Sequence, residues 1–282
     1  MKFKLKSKIF AKDISRNITG DSNLCVQYVS SFLDSESDSL VFYNGDDFDE
    51  VEKSKAKIIL VKDNLISKVE SKKNQAIVGV TSPINLFIKI ISESYNNENE
   101  AFNLSSEFNK NNHIFIGKNS IIFPNTTLYS KTYIGNNCRI QSSTVVGAIG
   151  LAYSENTEYP RIRFPHLGGV SIGDNVDIGS NTTIVKGILQ DTVIGSGSKI
   201  GNNVNIGHNV IIGQNCFISS GVTLSGSVVV EDNCWISPSV TVVNKVNIRK
   251  DSFIGSGSLL HKDTEPGGFY VGNPARKVKQ VS

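Results

Sequence analysis

At 282 residues the chain is longer than a usual single domain, and 39% hydrophobic with 20% charged residues is the composition of a folded protein, not a disordered one. Lys and Arg number 29 against 26 Asp and Glu, with no block of like charges, so neither a nucleic-acid partner nor a membrane surface is indicated. No apolar run approaches a membrane span, and the opening MKFKLKSKIF alternates apolar residues with lysines instead of forming the apolar core of a signal peptide, so a cytoplasmic protein is expected.

Residues 1–100 have the texture of a small N-terminal α+β domain. AKIILV and QAIVGVTS read as short buried strands, and PINLFIKIISESY carries apolar residues at helical spacing behind a proline suited to a helix start. No Gly-x-Gly-x-x-Gly or phosphate-loop motif occurs there. NNENE, Asn96 to Glu100, marks a boundary, and Ala101 to Lys110 reads as a connecting segment.

From Ile116 an aliphatic residue recurs every sixth position, through Val146, again from Ile172 to Ile184, and without a break from Ile194 to Leu260, giving 21 rungs. Four places after each aliphatic residue sits a small or β-branched one, among them Thr126, Thr144, Val204 and Val222. A period of six fits neither a helix nor a plain strand, but it fits a three-sided coil. Each rung is one flat side, the aliphatic and small residues point inward, and Gly or Asn takes the corner. Three rungs make a turn of 18 residues, and seven turns at strand spacing stand about 33 Å tall. The expected fold is therefore mainly β, a parallel β-helix of hexapeptide repeats over residues 101–265 behind the α+β domain. Cys138, Cys216 and Cys234 fall on the small inward position and read as core residues, while Cys25 lies outside the repeat.

Two interruptions break the period. GAIGLAYSENTEYPRIRFPHLG, with Tyr153, Tyr159, Arg161, Arg163 and His166, is a long loop inside a strict coil and therefore a candidate for function. Four extra residues near Lys186 to Asp191 form a smaller bulge without an assigned role. The tail, residues 266–282, abandons the repeat with EPGGFYVGNPARKVK and is expected to cover the unpaired strand edges of the last turn. His113 and His261, before and after the rungs, read as surface residues.

PHLGGVSIGDNVDIGSNTTI and DTVIGSGSKIGNNVNIGHNVIIG, with the ITGDSNLCVQYVSSFLDSESDSLVFYN stretch before them, resemble the UDP-3-O-acylglucosamine N-acyltransferase branch of the hexapeptide-repeat acyltransferases. The resemblance implies a left-handed coil, a homotrimer, and an N-terminal domain that binds a nucleotide sugar. It places His208 at the catalytic base and Gly226 at the oxyanion N–H. It also implies that Phe42, Asn44 and Phe48, with Tyr43 competing, hold the uracil; Arg161, Arg163 and His166, from the long loop, are expected to line the acceptor site. Departures are visible: TIVKG puts Val185 and Lys186 where the family has an acid and an arginine, KIGN puts Gly201 in place of an aspartate, and Lys245 aligns with a second family histidine. With the residues ending at Ser282, the family's long C-terminal helical extension is not expected. The GFYVGNPARKVK ending resembles that of acetyl-CoA-dependent members, which implies that Arg276, Lys277 and Lys279 meet the donor's phosphates, as Gly226 meets its thioester.

Imidazole ionises near pH 6.5 when unperturbed, so His208, projecting outward beyond its corner glycine, is suited to take a proton and return it. The expected activity is N-acyl transfer, with acetyl-CoA as donor and a nucleotide-linked amino sugar of surface polysaccharide synthesis as acceptor. One alternative is the lipid A enzyme itself, with an acyl carrier protein thioester as donor. A non-catalytic β-solenoid is the other. A zinc hydratase on the same coil needs three converging histidines, whereas counting 18 residues either way from His208 gives Gln190 and Gly226. No metal is expected.

Overall fold

A computed structural model describes residues 1–95, 113–154 and 161–280. The boundary at Asn96 to Glu100, the connecting segment Ala101 to Lys110, and Tyr159 lie outside the described residues. The chain divides into two compact units, one of residues 1–95 with 151–154 and 161–165, the other of residues 113–150 with 166–280.

The first unit is a six-stranded sheet with helices. Its elements are β1 (Lys2–Phe10), α1 (Ala11–Ile14), β2 (Ile18–Gly20), β3 (Cys25–Ser30), β4 (Ser39–Phe42), α2 (Phe48–Lys53), β5 (Ile58–Lys62), β6 (Ala76–Val80) and α3 (Pro83–Ser94). The strand order is β1-β3-β4-β5-β6-β2, with β3 to β6 parallel and the two edges antiparallel. β5 and β6 are nearly continuous apolar runs because a parallel strand in mid-sheet is covered on both faces. The Lys-x-Lys alternation at the start of the chain is β1, which buries Phe3 and Leu5 and leaves lysines in solvent, as an edge strand with one covered face requires. α3 starts on Pro83 at its first turn and buries Phe87, Ile88 and Ile91.

The long interruption of the coil belongs to this unit. Tyr153 and Arg163 pair as an antiparallel bridge, the Ser154 N–H donates to the Ile162 carbonyl at 2.8 Å, and Ser92 of α3 donates to the Arg163 carbonyl at 3.2 Å. Phe164, buried, closes an aromatic cluster with Phe42 and Phe87 at centroid distances of 6.5 and 6.4 Å.

The second unit is a left-handed parallel β-helix. All 21 expected rungs are strands, stacked with their counterparts seven to each of three sheets, one of which the tail extends to nine strands. One core runs its length, from Leu128 to Leu260 through Ile134, Ile172, Ile206 and Ile236. Burying each such side chain is worth about 1.5–3 kcal/mol. Inward hydroxyls are satisfied by carbonyls of the adjoining turn: Thr144 donates to the Gly179 carbonyl at 2.8 Å and Thr182 to that of Gly201 at 2.9 Å. The inward cysteines behave alike. Cys138 donates its S–H to the Gly173 carbonyl at 3.1 Å, and burial pushes its thiol above the usual range.

The corners divide their work differently from the sequence reading. The left-handed conformation belongs mainly to the third residue after the aliphatic one, most often Asn, as at Asn137 (φ 56°), Asn175 (φ 59°) and Asn215 (φ 53°). The glycine directly after the aliphatic residue answers a need for space. A Cβ on Gly117 would lie 2.5 Å from the carbonyl carbon of Gly135 in the next turn.

Past Leu260 the chain adds a strand, Gly268–Val271, parallel to Phe253–Ile254, then folds back as Arg276–Gln280. Along the same face Phe217, Trp235 and Phe253 form an outward column, the first two stacked at 4.2 Å.

Candidate functional site

Register determines what surrounds His208. The strand Asn205–Ile206 pairs Ile206 with Ile184 below and Leu224 above. Two residues further on, His208 therefore stands between Lys186 and Gly226. Counting 18 residues back gave Gln190; the bulge adds four residues to that turn, and the true neighbour is Lys186, whose side chain is 0% exposed.

The bulge fixes the imidazole through Asn209. The Ile188 N–H donates to Asn209 Oδ1 at 3.1 Å, and Asn209 Nδ2 donates to the Gln190 carbonyl at 3.2 Å, so both ends of the amide are assigned. His208 Nδ1 lies 3.1 Å from that same Oδ1. Facing an acceptor, Nδ1 carries the hydrogen, and the lone pair is left on Nε2. The bulge closes this tightly only with glycine at 187, where a Cβ would fall 1.5 Å from the Gln190 carbonyl oxygen.

Nε2 points over Gly226. A Cβ on Gly226 would lie 2.5 Å from Nε2 and 2.7 Å from Cε1 of His208, and Gly226 is not among the residues with positive φ, so its missing side chain provides room, not a turn. The N–H at the place of Gly226 in the repeat is not capped on every rung, and those of Ser196, Ser220 and Asp232 have no acceptor among the described residues. On other rungs it is capped from the next turn: Lys118 by Asn136 Oδ1 at 2.8 Å, Asn136 by Asp174 Oδ1 at 2.6 Å, Ser180 by Asn202 Oδ1 at 2.8 Å, Gln214 by Asp232 Oδ1 at 2.7 Å. The Gly226 N–H likewise has no acceptor among the described residues, while its carbonyl accepts from the Lys245 N–H at 3.1 Å. An uncapped donor and a basic nitrogen thus share one small space.

His166, 1% exposed, joins them edge-on, its ring centroid 5.9 Å from that of His208 at 84°. Its segment is strapped to the bulge by the Leu167 N–H to the Ile188 carbonyl at 2.6 Å, and Lys131 Nζ donates to the Leu167 carbonyl at 2.8 Å. The structure therefore brings together His208, Gly226 and His166, adding Asn209 and Lys186.

The other expected site residues belong to the first unit and to the end of the coil. In the first unit, successive residues of β4 and its extension face opposite sides of the sheet. Phe42 packs on Phe87 at 4.9 Å, and Tyr43 packs on Phe32 at 4.7 Å. Asn44 and Phe48 are exposed, Phe48 at the start of α2 behind its cap Asp47. Arg163 lies over the Tyr153 ring at 5.0 Å, and both Arg161 and Arg163 are exposed.

At the end of the coil, Arg276 and Lys277 line a recess of about 290 Å³ with His261, Lys262, Tyr270 and one carboxylate, Asp263. Lys277 is already paired with Glu265 at 2.5 Å, which holds its ammonium charged. Lys279 stands 5.9 Å over the Phe269 ring and is not part of that lining. The cations facing this recess are thus Lys262 and Arg276 with the paired Lys277.

Residues 113–148 and 191–226 match the family described as bacterial transferase hexapeptide (six repeats), and residues 169–208 match the hexapeptide repeat of succinyl-transferase. The chain is 38% identical over 153 residues to a UDP-3-O-acylglucosamine N-acyltransferase of Methylorubrum extorquens, covering 54% of this chain and 43% of that one. It is 41% identical over 158 residues to the same enzyme of Pseudomonas fluorescens, covering 56% and 45%. The matches thus span less than half of those relatives' length. The fold is shared with the UDP-N-acetylglucosamine acyltransferase of Campylobacter jejuni, at TM-score 0.50 and 23% identity, covering 60% of this chain and 71% of that chain. The chain carries bacterial transferase hexapeptide repeats folded as a left-handed β-helix, and over about half its length it is similar to the UDP-3-O-acylglucosamine N-acyltransferases.

Proposed function

We propose that this chain is an N-acyltransferase that moves an acyl group from a thioester to the amine of a nucleotide-linked amino sugar, with an acceptor of the UDP-3-O-acylglucosamine class. The observation that carries the reading is the pairing of His208 Nε2 with the uncapped Gly226 N–H. The acceptor amine gives a proton to Nε2 as its nitrogen bonds to the thioester carbon. The oxyanion accepts a hydrogen bond from the Gly226 N–H. The C–S bond then breaks, and the thiolate takes the proton back from the imidazolium. Base catalysis of this kind contributes roughly 10²- to 10⁴-fold, and one oxyanion donor a comparable amount.

The relatives' names favour this acceptor over the acetyl-CoA reading drawn from the tail, and the donor proposed with it is a hydroxyacyl carrier protein thioester. The second reading keeps one observation in its favour, the basic recess at Lys262 and Arg276 on the same face of the coil. A homotrimer is part of the proposal; outward Phe115, Tyr133 and Ile211, in one column, offer the apolar surface that a neighbouring copy would cover. Action in the cytoplasm is likewise part of it; no helix among the described residues is long and apolar enough to cross a membrane.

The decisive experiment supplies the full chain with UDP- and dTDP-linked amino sugars, each with a hydroxyacyl carrier protein or with acetyl-CoA, and weighs the products. Hydroxyacylation of UDP-3-O-acylglucosamine is the expected result, acetylation of another amino sugar establishes the second reading, and no consumption of either thioester by the folded coil overturns both. Asn209→Ala is expected to lower kcat about 10²-fold with KM little changed, because the imidazole loses the acceptor that orients it. Asn209→Asp, which keeps an acceptor toward Nδ1, is expected to retain more activity than the alanine variant in the same assay.

A further inference from the structure

The starting edges of β4, β5 and β6 enclose a recess of about 420 Å³ that none of the foregoing chemistry uses. Lys55, Lys57, Lys72 and Lys73 line it, with the hydroxyls of Ser37 and Ser54, and no carboxylate does. Its floor is a fixed piece of structure. Gln75, 4% exposed, donates to the Ser54 and Ala56 carbonyls at 3.3 and 3.0 Å and accepts from the Lys72 N–H at 3.2 Å. Lys72 is drawn in by its Nζ contact with the Ser54 carbonyl at 3.3 Å.

Three other lysines of the same unit are ion-paired. Lys2 pairs with Asp38 at 3.0 Å, Lys53 with Glu50 at 2.6 Å, and Lys62 with Asp46 at 2.8 Å. A neighbouring recess of about 480 Å³, which shares Ser54 and Lys55, sets Asp34, Glu36 and Glu50 against its cations. In the basic recess the ammonium groups of Lys55, Lys57 and Lys73 have no ion pair or hydrogen bond among the described residues. Like charges gathered in a concavity focus a positive potential, and a bound anion relieves their repulsion.

We infer that this recess is a binding site for a small anion of the pyrophosphate type. Its volume is that of a small-molecule site. Ammonium groups serve phosphate oxygens as point charges, and two hydroxyls add neutral donors. No aromatic ring lines the recess, so the phosphate-bearing portion is recognised and not a base. In open α/β sheets the usual ligand crevice lies beyond the carboxyl ends of the strands, where Tyr43 and Asn44 sit; this recess is at the opposite ends and is a separate site.

The test titrates the full chain with inorganic pyrophosphate at about 0.15 M salt, following heat and amide chemical shifts. Saturable binding tighter than about 1 mM is expected, with shifts confined to Ser37, Ser54 to Lys57 and Lys72 to Gln75. The double variant Lys57→Gln/Lys73→Gln should weaken binding at least about tenfold, whereas Lys89→Gln on α3 should not, and acyl transfer should be unchanged in both. Absence of saturation, shifts centred on other residues, or equal affinity in the double variant would each overturn the inference. Because binding is read without any acyl donor, its failure is distinct from failure of the proposed reaction.

Discussion

His208→Ala is expected to lower kcat by about 10²- to 10⁴-fold in the acyl-transfer assay while leaving the far-UV spectrum unchanged. The loss follows from position, not from folding. His208 is half-buried and contributes nothing to the inward core, which consists of Ile206, Val210 and Ile212 around it. What disappears is the nitrogen held with its lone pair toward the space over Gly226. KM for the acceptor should change little, because the proton moves in the transition state more than in the ground state. A variant with wild-type turnover would dismiss His208 as the base.

Gly226→Ala is expected to cost on the order of 10²-fold in kcat, although it leaves the oxyanion N–H in the sequence. The added methyl would start 2.5 Å from Nε2, and the ring must swing away to admit it. That motion strains the hydrogen bond to Asn209 at 3.1 Å and crowds the edge-on contact with His166. Gly226 is not among the residues with positive φ, so alanine meets no left-handed backbone there. A single-turnover measurement should therefore find chemistry slowed while the unfolding midpoint stays near that of the wild type. Full activity in this variant would mean that the imidazole does not work from the place the structure gives it.

Much of the coil was legible because stacking imposes the same demand on every turn. An aliphatic residue such as Ile206 must face the axis every six residues, or the core opens, and the 21 rungs follow from that alone. The corners were only half legible. Gly and Asn both mark them, but one meets a close approach and the other a left-handed backbone, two requirements that composition does not separate. The neighbours of His208 were misplaced by counting, since a bulge of four residues shifts the register, and that slip was itself visible in the sequence. Asn209 was overlooked because it resembles every other corner asparagine. What distinguishes it is the Ile188 N–H and Gln190 carbonyl supplied from the preceding turn, which no spacing rule reveals. β1 was passed over as well, its Lys-x-Lys alternation having been used only to exclude a signal peptide.

The parallel stacking of the coil also makes distance discrete. Ile206, Leu224, Val242 and Leu260 occupy one column, so Lys262 at the basic recess stands three steps beyond His208, about 14 Å along the axis. That span acts as a ruler graduated in 18-residue units: deletion of a whole turn shortens it by one graduation without disturbing either end, whereas any smaller change rotates one end away from the other.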